Sequence, residues 1–172
     1  MWYAQLLFIN VSQLNSKIAR KGDIVELQLQ SSNTANTVTG YGDDYIEINE
    51  TKYHQAIFFR PEGPVSTWDV KSIEDITLES LIQAAGLIEK EVDPIAFLDG
   101  DHSGPSYENK PELVIIGTGK KQQFIPPSIL HPLLTNRIGI ECMDTQAAAR
   151  TYNVLMNENR QVVAALLVDG SE

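Results

Sequence analysis

"ELVIIGTGKKQQFIPPSILHPLLTNRIGIECMDTQAAARTYNVLMNENRQVVAALLV" (Glu112–Val168) is the stretch that decides the fold. Three short apolar runs stand in it: "ELVIIG" (112–117), "IGIECM" (138–143) and "QVVAALLV" (161–168). The first is apolar without alternation, which is the pattern of a strand covered on both faces. Between the runs, "PPSILHPLLTN" (126–136) is helix-like. Pro127 suits a first-turn position there, and Pro132 predicts a kink or a break. "TQAAARTYNVLMNEN" (145–159) predicts a second helix. Strand, helix, strand, helix, strand implies right-handed crossovers and a mostly parallel sheet.

Upstream the grammar changes. "VELQLQ" (25–30) alternates apolar and polar residues, as a strand does. "TVTGYGDDYIEINETKYHQAIFFRP" holds two turn signals, Gly42-Asp43-Asp44 and Asn49-Glu50-Thr51. The runs between them predict an antiparallel meander of two or three strands, ended by "RPEGP" (60–64). "TLESLIQAAGLI" (77–88) predicts a helix, with Leu78, Leu81, Ile82 and Ala85 at helical spacing and Thr77 as N-cap. "DPIAFLDGDHSGPSYENKP" (93–111) is rich in Pro, Gly and Asp and predicts a long surface loop, with a short strand at Ile95–Leu98.

The bulk composition sets limits. The 172 residues carry 23 acidic and 13 basic side chains, a net charge of −10. One domain is the default at this length. An acidic chain is a poor nucleic-acid surface, because neutralising phosphates takes clustered Lys and Arg, and the same charge argues against an anionic membrane surface. The single cysteine, Cys142, excludes an internal disulfide and a multi-cysteine zinc site. No apolar run reaches the roughly 18 residues of a membrane span.

Residues 1–22 contain no Asp or Glu. This segment reads either as an organelle transit peptide or as a gene-model extension. In the second reading Lys21-Gly22-Asp23 is a translated ribosome-binding site and the natural chain starts near Val25. The expected organisation is therefore an N-terminal extension at 1–24 and one domain at 25–172. The expected location is the bacterial cytoplasm, or the mitochondrion if the segment is a transit peptide.

Several motifs suggest chemistry and stop short of it. Gly117-Thr118-Gly119 follows a strand, but a dinucleotide fingerprint needs a third glycine where Gln122 stands, and a helix that begins at once. "DGDHSG" (99–104) opens like a calcium loop, yet its twelfth position is Lys110 rather than a bidentate Glu. His54, His102 and His131 share no ligand spacing, so no metal is expected. Cys142 shares a strand face with Ile138 and Ile140 and is expected to act as a small hydrophobe.

The richest constellation is "MDTQAAARTYN" (143–153). Thr145 is expected to cap the helix, and Asp144 to sit at the positive end of its dipole. Ala148, Thr151, Tyr152 and Leu155 form one stripe, and Gln146, Arg150, Asn153 and Asn157 form a polar one. Parallel sheets bind ligands at the carboxyl ends of their strands. That rule nominates a rim of Gly117, Thr118, Gly119, Lys120, Asp144, Thr145, Arg150 and Asn153 for a nucleotide or another anion.

"TGYGDDYIEIN" (39–49), "PELVIIGTGKKQQFIPP" (111–127) and "IGIECMDTQAAARTYNVL" (138–155) resemble the Mth nine-three-eight-like domain family over about residues 25–168. The resemblance implies an α/β fold, in which an antiparallel β-rich part joins a small, mostly parallel β-α-β-α-β sheet flanked by helices. The recurring positions match Thr39, Gly40, Tyr41, Gly42, Gly117, Thr118, Gly119, Asp144, Thr145, Arg150, Thr151, Tyr152 and Asn153. One mitochondrial relative assists assembly of respiratory complex I, and an animal relative is linked to adipocyte differentiation. The resemblance carries over no catalytic residues and no cofactor. Members often have Cys before the arginine, where this chain has Ala149, which weakens any thiol mechanism. The loop at 95–110 is longer than usual in the family.

Two readings follow from these residues. The first is a soluble, non-enzymatic accessory protein that works with protein partners on a respiratory or other membrane complex, with a homo-oligomer allowed. The second is a small-molecule binder or enzyme acting at the rim.

Overall fold

The computed structural model describes residues 35–90 and 105–168. The expected strand at 25–30, the N-terminal extension, the strand at 95–98 and the calcium-like loop at 99–104 lie outside the described residues. Three strands, β1 (Val38–Tyr41), β2 (Ile46–Ile48) and β3 (Thr51–Tyr53), form the expected antiparallel meander. Asn49 and Glu50 both take positive φ, 46° and 67°, as a two-residue type I′ hairpin turn requires. The next run, β4 (Ile57–Phe59), leaves the meander and joins the main sheet, where β5 (Ser66–Thr67) pairs with it.

The main sheet is completed by β8 (Leu113–Thr118), β9 (Gly139–Met143) and β10 (Val162–Leu167), in the order β5-β4-β10-β8-β9. β10 pairs parallel with β8, and β8 parallel with β9, while β4 runs antiparallel to β10. The chain moves outward from β8 to β9 through helix α2 (Pro127–Thr135), then back past β8 to β10 through helix α3 (Thr145–Asn157). Crossovers of one hand that travel in opposite directions place their helices on opposite faces.

The packing follows that rule. Val114 and Ile116 of β8, with Val163, Ala165 and Leu167 of β10, pack on one face with Leu133 of α2 and with Leu81 of α1 (Leu78–Ala84). The alternate residues Ile115, Val162, Ala164 and Leu166 pack on the other, against Ala148, Ala149 and Tyr152 of α3 and Ile46 and Ile48 of the meander. The strands look continuously apolar because both sides of the pleat are covered.

Three expectations are corrected. The first helix stops at Ala84 instead of running to Ile88, because Gly86 turns to φ +56°. Thr77 does cap it, accepting from the Ser80 amide. Ile88–Glu89 (β6) then pairs with Tyr107–Glu108 (β7), so the end of the expected surface loop is a strand with Tyr107 buried. Pro132 does not break α2, which continues to Thr135. The Pro132 carbonyl accepts from Thr135 Oγ1 at 3.0 Å and Asn136 Nδ2 at 2.9 Å.

Candidate functional site

The turn after β8 and the start of α3 are bonded directly to each other. Gly119 turns the chain at φ +89°. Its amide donates to Thr145 Oγ1 at 2.9 Å, and its carbonyl accepts from the Thr145 amide at 2.9 Å. The Thr145 hydroxyl donates in turn to the Leu167 carbonyl at 2.6 Å, tying β10 to the same point. Gly117 permits this approach: a Cβ there would stand 2.9 Å from Thr145 Oγ1 and 3.0 Å from Thr145 Cα. Thr118 is buried. Its hydroxyl lies 2.9 Å from the Lys121 carbonyl and 3.0 Å from the Met143 carbonyl, and accepts from the Gln123 amide at 3.0 Å.

The cap of α3 is Asp144, whose carboxylate accepts from the Ala147 amide at 2.8 Å. Thr145 is instead the first helical residue, and its hydroxyl faces the sheet rather than the free amides. A side chain at the first helical position cannot fold back onto the N2 and N3 amides as an N-cap can. Arg150 and Asn153 both reach β1. Asn153 Oδ1 accepts from the Val38 amide at 3.0 Å, and its Nδ2 donates to the Val38 carbonyl at 2.8 Å. This side-chain amide pairs with β1 as a neighbouring strand would. Arg150 donates to the Tyr41 hydroxyl at 3.0 Å, and that bond holds its pKa above the ordinary arginine value. The Tyr152 hydroxyl donates to the Asn36 carbonyl at 2.9 Å, and burial pushes its pKa upward.

The structure thus gathers Gly117, Thr118, Gly119, Asp144 and Thr145 at one point, sends Asn153 to β1, and keeps Arg150 within electrostatic reach of Asp144 while it donates to Tyr41. Lys120 lines a cleft there with Gly119, Thr145, Gln146, Asp43 and Tyr45, of about 20 Å³. That volume holds about one water. A larger cavity, about 600 Å³, opens at the other end of the sheet, beside the first residues of β10. Arg60, Glu62, Asn159, Arg160 and Gln161 line it. The Arg60 guanidinium donates to the Ala85 carbonyl at the end of α1, and burial lowers its pKa. Arg160 pairs with Glu112 at 3.2 Å. The Gln161 amide and Arg160 together hold the Glu112 carboxyl below the ordinary glutamate range. Sequence spacing does not reveal this cavity, because its walls come from four separate segments.

Among the described residues no three His, Cys, Asp or Glu side chains are grouped to hold a metal ion. Cys142 is half-buried, and that burial raises its thiol pKa. His54 lies beside the Asp44 carbonyl at 3.0 Å, and His131 is exposed on α2. No helix among the described residues is long and apolar enough to cross a membrane.

This architecture is a mixed α/β domain, a parallel three-strand core with an antiparallel meander on one face. The chain belongs to the family described as "Protein of unknown function (DUF498/DUF598)", whose model matches residues 38–167. A crystal structure from Bordetella parapertussis is 46% identical, covering 80% of this chain and 99% of that one, with a TM-score of 0.65. A solution structure of a Bordetella pertussis protein described as an Mth938-like domain is 47% identical, covering 90% and 95%, with a TM-score of 0.64. The "13 kDa major membrane protein" of Francisella tularensis is 26% identical over 122 residues, 70% of this chain and 98% of that protein. The bovine NADH dehydrogenase (ubiquinone) 1 alpha subcomplex assembly factor 3 is 25% identical over 143 residues, 83% of this chain. The match spans 66% of that bovine protein, and 45% of the mouse protein of the same name.

Proposed function

We propose that this domain is a non-enzymatic accessory protein that works through protein partners in assembling a respiratory or other membrane complex. The observation that carries the reading is the closed rim. The Gly119 amide and the Thr118 and Thr145 hydroxyls bond to one another's segments, and the cleft left beside them is about 20 Å³. A nucleotide-sized ligand needs a site of some 300 Å³ or more; the rim cleft lacks that room, and the cavity of about 600 Å³ that has it opens at the other end of the sheet. Relatives named as assembly factors for NADH dehydrogenase support the same direction. The rim reading, with Lys120 and Arg150 meeting an anion, requires the segment at Gly119–Lys120 to open.

The experiment is deletion of the gene in the organism of origin, followed by native-gel analysis of its respiratory complexes. The expected result is loss of the fully assembled NADH dehydrogenase with accumulation of subcomplexes, restored by the wild-type gene. Normal levels of every membrane complex would sink the proposal. In the same study, a thermal-shift screen with nucleotides and phosphorylated metabolites is expected to be flat. A ligand at about 100 times its Kd would add roughly 2.7 kcal/mol and show clearly.

A further inference from the structure

Between Glu112 and Glu141 the chain carries no acidic residue, although its net charge is −10. The same stretch contains Lys120, Lys121, His131 and Arg137. Its outer surface has two parts, the loop that leads into α2 and the outward side of α2 itself. In the loop, Ile125 is buried and Phe124 beside it is 84% exposed. The loop is tied down by two side-chain hydrogen bonds just before the ring and by buried Ile125 just after it. Gln122 Nε2 donates to the Cys142 carbonyl at 2.9 Å, and Gln123 Nε2 to the Thr118 carbonyl at 3.2 Å. Phe124 is therefore presented on a braced loop.

Helix α2 continues the pattern. Its exposed positions are Pro127, Ser128, His131, Leu134 and Thr135, a stripe at helical spacing with no Lys, Arg, Asp or Glu. The outward face of a surface helix in a globular protein normally carries charge. Leu134 is 51% exposed. Glu141, which closes the acid-free stretch, shares a strand with Ile140 and Cys142 but alternates with them. Those two pack with the α2-side core, so Glu141 projects to the other face of the sheet.

We propose that the loop at 120–126 and the outer stripe of α2 rest on an anionic lipid bilayer, with Phe124 in the interfacial region and Lys121 among the headgroups. Aromatic and leucine side chains flanked by lysine are the composition of interface-seated segments. A lone convex ring fits a bilayer better than a protein groove, because lipid needs no matching pocket. Each lysine near an anionic leaflet raises binding about fivefold. Screening over about 8–10 Å limits repulsion to nearby carboxylates; the stretch itself supplies none, and Asp43 across the Lys120 cleft and the α3 cap Asp144 are the ones that stand against it. The inference goes beyond the assembly reading and does not rest on it.

The test is flotation of the full chain with vesicles of phosphatidylcholine containing about one quarter phosphatidylglycerol, against pure phosphatidylcholine. The expected result is binding to the anionic vesicles alone, weakened by salt. Phe124→Ala, at an exposed site, should lower the partition coefficient about tenfold. Lys121→Glu should lower it at least as much. Lys52→Glu makes the same charge change on β3, outside the acid-free stretch, and should leave binding unchanged. The proposal is overturned if neither vesicle floats the chain, which would turn Phe124 toward a protein partner. It is equally overturned if Phe124→Ala binds as well as the parent, or if Lys52→Glu loses as much as Lys121→Glu.

Discussion

Helices α2 and α3 cross between the same sheet's strands, yet their side chains are used in opposite ways. α3 has the polar residues that attract a functional reading, and they are bonded to their own fold. Asp144 caps the helix, Thr145 joins β8 to β10, and Asn153 pairs with β1. α2 has an unremarkable sequence, and its outer stripe holds no Lys, Arg, Asp or Glu. The difference teaches that polar side chains at a promising rim can be structural, while a bland apolar surface can be the part left for a partner. A covered helix face must satisfy its polar groups internally, and an exposed one need not.

Variants can break or sharpen that contrast, and the largest effects belong to α3. Tyr152→Ala removes a fully buried ring that meets Phe59 edge-on at 4.7 Å and a hydroxyl bonded to the Asn36 carbonyl. Its expected cost is about 3–5 kcal/mol, a fall of about ten degrees in Tm by calorimetry. Thr145→Val keeps the shape but strands the Gly119 amide and the Leu167 carbonyl. Denaturant titration should show a loss of about 2–3 kcal/mol. A loss near zero would mean that the turn relaxes freely, and the closed rim would lose its force.

Asp144→Ala removes only the cap and should cost about 1 kcal/mol in the same titration. The smallest effect belongs to α2. Leu134→Ser, at an exposed site, should change stability by less than about 0.5 kcal/mol. A cost of 2 kcal/mol or more there would show that the outer stripe is held by the fold after all, and the contrast with α3 would collapse.

Much of the fold was legible along the chain. The unbroken run "LVIIG" announces a strand covered twice, and Ile115 does pack on the opposite side from Val114 and Ile116. The turn at Asn49 was also legible, because few residues accept positive φ. Helix α1 was overextended, since its apolar spacing continues past Gly86 while the backbone does not. β7 escaped notice because two residues gain strand character only through their partner β6. At the rim, the residue types suggested a ligand, but hydrogen-bond direction is not written in spacing. Asp144 and Thr145 are neighbours, and only the backbone geometry decides which one caps.

By itself the sequence determined the order of strands and helices from Leu113 to Leu167, the unbroken apolar runs of the core strands and the acid-free stretch before Glu141. Each of these depends on local pattern or on composition, which neighbouring residues carry along the chain. The tertiary structure decided that Thr145 and Gly119 bond each other, that Asn153 holds β1, and that Phe124 stands exposed beside a buried Ile125. Those outcomes depend on which segments meet across 26 to 115 residues of chain. Contacts at that separation are set by packing the two sheet faces as a whole, and no local pattern encodes them.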